Sequence, residues 1–352
     1  MLLTRRTVSS LSDVRGDAVK IVSHTLPYPR APDEQVKLPT QNPVFGLTAQ
    51  TIQNRLLLQP GLCQYIYIVH AVPKQFRLSN LPSSPPSTPR FLLPGEDYFT
   101  STAVFSSATP VPDYHDFRGR IQPTQFPSVI VPPHTVHVAV VERYLPPASS
   151  QEYIDFFSPN GPSVLVDRLL ELSPNDGRLL LIYPTKRGAR TFQTHYLGPI
   201  LNPLIRQLMV VHELSADVGK HLGNLASVAH MDDFETMRAK IVRLSEEFGN
   251  STSRFTLEDA RKGSVFLDRN LWSEWFIQQE RLRMKEVLNL YWQNSRRPPK
   301  YNSGNRALND KEVTSAMLLT DILDGLKNRP YNEHAEPCEG VELGFFAIRR
   351  SH

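Results

Sequence analysis

Two almost wholly apolar segments on either side of an amphipathic one constrain the fold of this 352-residue chain more than any other feature. Residues 136–141 (VHVAVV) and 178–183 (RLLLIY) have the continuous apolar character of strands that are covered on both faces, as in a parallel sheet. Between them, residues 163–172 place apolar side chains at helical spacing, and Ser163 is suited to cap the first turn. We therefore predict a right-handed strand–helix–strand crossover whose two strands lie parallel in one sheet.

Further strands and helices are expected along the rest of the chain. Strand patterns lie at 64–72, 98–105 and 341–349, and helical patterns lie at 48–58, 201–214, 232–248, 271–292 and 314–326. This arrangement predicts the α/β class, with a doubly wound, mostly parallel, Rossmann-like sheet and a helical insertion. Aromatic residues at helical spacing, such as Trp272 and Trp275, are expected to pack in the core.

The distribution of proline suggests how the chain is divided. Residues 1–40 are expected to be a disordered N-terminal segment, and residues 41–352 a single α/β domain with a mainly helical region at 200–330. Residues 81–89 (LPSSPPSTP) lack the backbone donors of regular structure, so we predict a poorly packed Pro/Ser loop there. Residues 1–12 contain two arginines and no acidic residue, which fits either a frayed terminus or a targeting peptide.

Charge and cysteine content narrow the class of protein. The 39 basic and 35 acidic residues give a net charge of only +4, so a nucleic-acid partner is not expected. Two cysteines, Cys63 and Cys338, are too few for a disulfide framework or a structural zinc site, which favours an intracellular protein. The expected compartment is the cytoplasm or nucleus, or the mitochondrion if residues 1–12 are a targeting peptide. No apolar run reaches the roughly 18 to 20 residues that span a bilayer, so no membrane association is expected.

The common catalytic motifs do not occur. The eleven histidines form no HExxH or HxH pair, and the sequence has neither a GxSxG elbow nor a phosphate loop, so no metal is expected. His137 lies inside a predicted strand and is interpreted as a hydrogen-bonded packing residue. His195 follows a predicted strand by a short polar segment and is interpreted as a surface residue, with a site role as the alternative.

Residues 169–183 (LLELSPNDGRLLLIY) resemble the part of class I S-adenosylmethionine-dependent methyltransferases where a helix ends, a Pro/Gly turn follows and the fifth strand begins. In that family the preceding strand, here 136–141, closes the methyl-donor pocket. The last strand, here 342–348, inserts antiparallel into the sheet. The resemblance therefore implies an antiparallel C-terminal strand, S-adenosylmethionine as cofactor, and methyl transfer to an unspecified acceptor.

Two features of the family's donor site have no counterpart in this sequence. The family has a glycine-rich turn after its first strand and an acidic residue on its second strand that binds the donor's ribose. Here Gly61 and Gly95 are isolated, and Glu96 and Asp97 precede a predicted strand instead of ending one. Two functions therefore stay open: a methyltransferase with a remodelled donor site, or a non-catalytic scaffold that binds a protein partner through the helices at 200–330.

Ligands of open α/β sheets bind beyond the carboxyl ends of the parallel strands. At those ends the sequence predicts one cleft for substrate or cofactor, lined by Glu142, Tyr144, Tyr183, Lys186 and Arg187. The two basic residues suit a carboxylate or phosphate, and Glu142 is expected to pair with Arg187 or to engage a hydroxyl or amine. The alternative interpretation is a salt-bridged rim without a ligand.

Overall fold

The computed structural model describes residues 18–26, 44–58, 65–73, 103–111, 130–160, 162–212, 214–249, 253–294, 310–332 and 335–352. These residues form one seven-stranded sheet with helices packed against it. The strands are β1 (Val19–Leu26), β2 (Tyr65–Pro73), β3 (Ala103–Val111), β4 (Val138–Arg143), β5 (Arg178–Pro184), β6 (Arg254–Val265) and β7 (Val341–Ser351).

The strand order is β3-β2-β1-β4-β5-β7-β6. The first five strands in this order are parallel to one another, whereas β7 is antiparallel to both β5 and β6. The predicted parallel pairing of 136–141 with 178–183 is therefore confirmed, with Val138 opposite Arg178. The predicted antiparallel strand near the end of the sequence is also confirmed, with Ile348 opposite Leu179.

The helices are α1 (Val44–Leu58), α2 (Ser150–Phe156), α3 (Val164–Glu171), α4 (Lys186–Thr191), α5 (Gly198–Val211), α6 (Ala216–Gly223), α7 (Ser227–His230), α8 (Phe234–Phe248), α9 (Arg269–Asn294) and α10 (Asp310–Asn328). A π-helical segment, Phe192–Leu197, joins α4 to α5. As predicted, Ser163 caps α3, because its hydroxyl accepts the Val166 N–H at 3.3 Å. None of the helices in the described ranges is long and apolar enough to cross a membrane.

The prediction of disorder over 1–40 is wrong for the residues that form β1. This strand lies inside the sheet between β2 and β4, and its polar residues hid it because they interrupt the apolar pattern. His24 is one of them, and it is 2% exposed with a ring nitrogen 3.2 Å from the Arg168 guanidinium of α3. Tertiary contacts, rather than the local pattern, accommodate this residue in a strand.

One other predicted region differs from the structure, and three predicted segments involve residues that the structure does not describe. The region 200–330, predicted as mainly helical, contains the strand β6 between α8 and α9. This strand lies at the edge of the sheet, carries several charged residues, and exposes half of its residues to solvent. A charged edge strand is hard to recognise because it has one covered side and few apolar residues. The described strand β3, Ala103–Val111, overlaps the end of the predicted strand 98–105, and residues 98–102 lie outside the described residues. The segment 81–89 and residues 1–12 lie outside the described residues.

The sheet has a switch point between β1 and β4. From β1 the chain builds outward through β2 to β3 and then returns to the other side of β1 at β4. Doubly wound sheets bind their ligands in the crevice at the carboxyl ends of the two strands that flank such a point. Thr25 opposite Glu142 and Leu26 opposite Arg143 mark those ends here.

Helix α4 lies unusually close to β7 at Gly188. A Cβ atom at this position would lie 1.9 Å from the carbonyl oxygen of Glu342, so the two backbones touch. The contact is fixed by Thr185, which caps α4 through the Gly188 N–H at 3.1 Å and donates to the Glu342 carboxylate at 2.7 Å.

Replacing Gly188 with alanine is expected to lower the free energy of unfolding by about 1 to 3 kcal/mol, because the extra methyl forces α4 away from β7. Urea unfolding followed by circular dichroism measures this change. The matched control is Gly223→Ala at the end of α6, where the nearest atom lies 3.6 Å from the new Cβ. Equal stability of both variants would contradict the close packing of α4 on β7.

Candidate functional site

Glu142 lies at the carboxyl end of β4, directly at the switch point, and is fully buried. One of its carboxylate oxygens, Oε1, accepts a short hydrogen bond from the backbone N–H of Phe45 in α1. The other, Oε2, accepts a hydrogen bond from the hydroxyl of Tyr144 at 3.0 Å. Burial raises the pKa of Glu142 to about 7, although both hydrogen bonds favour the charged form.

The carboxylate of Glu142 sits at the N-terminus of a 15-residue helix. The first N–H groups of a helix have no partner within the helix and attract negative charge. The Val44 N–H interacts with the Tyr144 hydroxyl, while the Phe45 N–H binds Glu142. Two side chains from the end of β4 therefore cap α1.

Tyr144 is held in place by an aromatic neighbour. Its ring stacks on Trp275 of α9 with centroids 5.3 Å apart and an interplanar angle of 11°. The pKa of Tyr144 is raised well above its usual value, first by burial and then by the adjacent Glu142 carboxylate. The hydroxyl thus stays protonated and remains a hydrogen-bond donor.

Arg143 is the centre of a buried polar network. Its guanidinium forms an ion pair with Glu152 of α2, donates to Gln279 Oε1 of α9 at 2.8 Å, and donates to the Leu145 carbonyl at 3.0 Å. Arg143, Glu152 and Gln279 are each at most 5% exposed. The network ties the end of β4 to two helices that are far apart in the sequence.

The same network continues along α9. Gln279 donates to the carboxylate of Glu280 at 3.1 Å, and Glu280 pairs with Arg283. Arg283 in turn donates to the carbonyl of His221 at 2.7 Å and to that of Leu222 at 3.3 Å, both in α6. The carboxyl end of β4 is therefore connected by hydrogen bonds to the helical region.

Tyr183, near the carboxyl end of β5, lies in an aromatic cluster. Its ring centroid is 4.7 to 6.1 Å from those of Tyr153, Phe156 and Phe157, and the Arg143 guanidinium lies 5.9 Å from it. The side chain is fully buried, and its hydroxyl has no hydrogen-bond partner in the part of the chain that the structure describes. Burial raises the pKa of Tyr183 above its usual value.

The structure places the five predicted site residues in three groups. Glu142 and Tyr144 are in contact, and Tyr183 lies beside Arg143 in the aromatic cluster. Lys186 donates to the Ala229 carbonyl at 3.0 Å, and Arg187 is exposed on α4. Glu142 is bonded within the chain to the Tyr144 hydroxyl, and its pairing with Arg187 or with a hydroxyl or amine in a cleft stays a prediction. A single cleft lined by all five stays a prediction.

His70, on β2, is a buried residue that sequence reasoning missed. It is 1% exposed, and neither ring nitrogen has a hydrogen-bond partner among the described residues. Its ring packs edge-on against Phe45, with centroids 5.3 Å apart, so it lies next to the first turn of α1. Burial lowers its pKa to about 4, and the imidazole is therefore neutral near pH 7.

The other histidine interpretations can be compared with the structure. His137 accepts the Lys20 N–H at 3.0 Å through Nδ1, which confirms its interpretation as a hydrogen-bonded packing residue. His195 lies in the π-helical segment and is partly exposed. Within the described ranges, no group of three or more His, Cys, Asp or Glu side chains is arranged to hold a metal ion.

Glu152, which sequence reasoning did not assign to the site, lies in a recognisable sequence pattern. Ser149 and Glu152 have the spacing of a capping box, and Ser149 does cap α2 by accepting the Glu152 N–H at 3.1 Å. This pattern identifies α2 and its acidic residue. No comparable local signal marks Gln279 or Phe45, because their partners lie far away in the sequence.

A groove of about 440 Å³ lies away from the switch point. It runs between the end of α8 and the start of β6 and is lined by Val242, Ser245, Glu246, Gly249, Ser253, Arg254, Phe255, Thr256 and Leu257. None of these residues belongs to the predicted site. The chemistry of the crevice therefore has to be argued from the contacts of Glu142, Arg143 and Tyr144.

Comparison with known proteins does not assign this chain to a family. No protein-family model matches the sequence, and no curated protein is significantly similar to it.

Proposed function

We propose that this chain is a methyltransferase-like scaffold that does not use S-adenosylmethionine and that binds a protein partner through its helical region at 200–330. The observation that carries the proposal is the position of Glu142. Its carboxylate fills the helix N-terminus in the switch-point crevice, where doubly wound folds receive the anionic part of a ligand.

The architecture supports the methyltransferase-like part of the proposal. The sheet begins with the 3-2-1-4-5 order of the doubly wound fold, and β7 enters it antiparallel beside β5. An antiparallel last strand is what the resemblance of residues 169–183 implies.

The residues at the donor positions do not fit S-adenosylmethionine. β1 ends at Leu26, and the sequence contains no glycine between it and Val44 at the start of α1, so the glycine-rich turn is missing where the resemblance requires it. β2 (Tyr65–Pro73) contains no acidic residue, and Lys74 follows it, so no ribose-binding carboxylate lies on or directly after the second strand. The Glu142 carboxylate would also repel the donor's own carboxylate at α1.

Exposed apolar residues in the helical region support a partner there. Val210 and Val211, at the end of α5, are 80% and 64% exposed. The Tyr291 hydroxyl accepts the Ser215 N–H at 3.2 Å, which brings α9 beside the start of α6, four residues after Val211, and Leu290 next to Tyr291 is 55% exposed. Clustered exposed apolar residues are typical of interaction surfaces.

S-adenosylmethionine-dependent methyl transfer is the second candidate function. It is favoured by the strand order and by the pKa of about 7 for Glu142, which lies in the range of a general base. The two candidates differ in one measurable property, the binding of the methyl donor.

We expect millimolar S-adenosylmethionine to leave the melting temperature of the protein unchanged, because its donor positions do not match the ligand. Differential scanning fluorimetry and isothermal titration calorimetry measure this on the full chain, with S-adenosylhomocysteine as a second ligand. Circular dichroism and a cooperative urea transition establish that the sample is folded. A saturable shift, equivalent to about 2.7 kcal/mol at 100 times the dissociation constant, would instead favour the methyltransferase.

A further inference from the structure

The edge strand β6 has features that suit it to pair with its own copy. It is 12 residues long, and among the described strands only β7 lies beside it. The backbone N–H and C=O groups on the outer side of such a strand can pair with another chain. We propose that β6 pairs antiparallel with β6 of a second copy of this chain, about a two-fold axis at Ala260, so that the two seven-stranded sheets become continuous.

The charges in the middle of β6 match this arrangement. Asp259 and Arg261 are two residues apart, so they lie on the same face of the strand, where they form an ion pair of 2.9 Å. In an antiparallel pair centred on Ala260, Asp259 of each copy lies opposite Arg261 of the other. Four charges then alternate in sign on one face, and opposite charges on facing residues stabilise a sheet.

The neighbouring registers oppose like charges. Two-fold symmetry keeps the equivalent faces of the two sheets on the same side, so the pairing is centred on a residue and not between two residues. A centre at Asp259 would place two carboxylates opposite each other, and a centre at Arg261 would do the same with two guanidinium groups. Charges on an edge strand prevent pairing with unrelated strands, whereas the register centred on Ala260 makes these charges complementary.

The two ends of β6 are complementary in shape. Phe266 directly follows the strand and is 58% exposed. The groove of about 440 Å³ lies at the other end of the strand, where residues 254–257 and the end of α8 line it with the apolar side chains of Val242, Phe255 and Leu257. Antiparallel pairing brings the end of each strand against the start of the other, so Phe266 of each copy reaches the groove of the other copy.

The groove is also suited to an incoming strand. Its four consecutive strand residues, 254–257, alternate between the two faces of the sheet, so the groove follows the strand's edge and not one face. Ser245 of α8 lines it and is 3% exposed, and the hydroxyl of this residue has no hydrogen-bond partner in the described part of the chain. The backbone of a second strand would supply such a partner, which a buried hydroxyl favours.

This inference does not rest on the proposed function. It involves none of the exposed residues of α5 and α9 that support a protein partner, and it is indifferent to the binding of S-adenosylmethionine. A change in oligomeric state therefore tests the β6 interface alone.

We expect the full chain to sediment as a dimer with a dissociation constant on the order of 1 μM in analytical ultracentrifugation. Asp259→Arg and Arg261→Asp each place like charges opposite each other twice, and each should weaken the dimer about tenfold or more. An equimolar mixture of these two variants should form a heterodimer, because all four facing charges are then opposite in sign. The double variant Asp259→Arg/Arg261→Asp keeps the ion pair within the chain and should dimerise like the unaltered protein.

Phe266→Ser should weaken the dimer severalfold, because it removes the side chain that enters the groove. Its matched control is Phe105→Ser on β3, the other edge of the described sheet, where the side chain is 52% exposed. This change should leave the dissociation constant unchanged, and circular dichroism establishes that each variant is folded.

A monomer at about 100 μM, well above the expected dissociation constant, would overturn the proposal. A dimer that is insensitive to both charge reversals, or one that is weakened by Phe105→Ser instead of Phe266→Ser, would show a different interface and would overturn it too. If the double variant dimerises no better than the single variants, the register centred on Ala260 is wrong.

Discussion

Replacing Arg143 with methionine is expected to lower the free energy of unfolding by about 3 to 5 kcal/mol. The guanidinium is 1% exposed, and its removal leaves the Glu152 carboxylate and the Gln279 amide without their main partner inside the protein. An uncompensated buried charge is costly, so most of the loss comes from Glu152. Urea unfolding of both proteins, monitored by fluorescence and circular dichroism, measures the difference.

The double variant Arg143→Met/Glu152→Gln tests this explanation. It removes both charges and is expected to recover a large part of the lost stability. The control for general loss of an arginine is Arg238→Met on α8, whose side chain is 56% exposed and pairs with Glu235 at 3.7 Å. That change is expected to cost less than about 1 kcal/mol. If the double variant is no more stable than Arg143→Met, the buried charge is not the cause.

The free energy of unfolding is expected to depend on pH through two buried groups near the first turn of α1, His70 and Glu142, whose effects have opposite signs. The pKa of His70 falls from 6.5 to about 4 on folding, so its contribution is present above pH 6.5 and is lost as the pH falls toward 4. The pKa of Glu142 rises from 4.5 to about 7, so its contribution is present below pH 4.5 and is lost as the pH rises through 7. Each is equivalent to about 3 kcal/mol.

Between pH 4.5 and 6.5 the two effects are expected to cancel, because the folded and unfolded states then bind the same number of protons at this pair. Replacing one of the two residues leaves the pH dependence caused by the other uncompensated. Relative to the unaltered protein, Glu142→Gln should gain stability with rising pH by about 1.4 kcal/mol per unit, and His70→Phe should lose as much. Urea unfolding at several pH values within this window measures both slopes. Slopes of the same sign in the two variants would contradict the assignment of these pKa values.

The central part of the fold was predictable because its signals are local. The parallel pair β4 and β5 is continuously apolar, Ser163 caps α3 where expected, and the alternation of strand and helix leaves few topologies. β1 was missed because the polar side chain of His24 is accommodated by Arg168, more than a hundred residues away. A strand whose polar residues are paired at long range has no local signature.

The site followed the same rule. Glu142 and Tyr144 were singled out because parallel sheets bind ligands at the carboxyl ends of their strands, and the structure brings these two side chains into contact. The role of the Glu142 carboxylate as a cap could not be predicted, since it depends on the backbone N–H of Phe45, which lies 97 residues away in the sequence. Tyr183 was predicted at the same rim and, like Glu142, is fully buried, in its case within an aromatic cluster whose members come from β5 and the region of α2.

Because β7 lies between β5 and β6 but follows both in the sequence, the sheet can be completed only after β7 has been synthesised. Both neighbours of β7 are made before it, yet β6 pairs with no other strand in the described sheet, and β5 has only β4 on its other side. Until residues 341–351 have left the ribosome, β5 therefore keeps an open edge and β6 has no strand partner. Unpaired edges favour association with other chains, so the nascent protein is expected to depend on chaperones until this last strand is inserted.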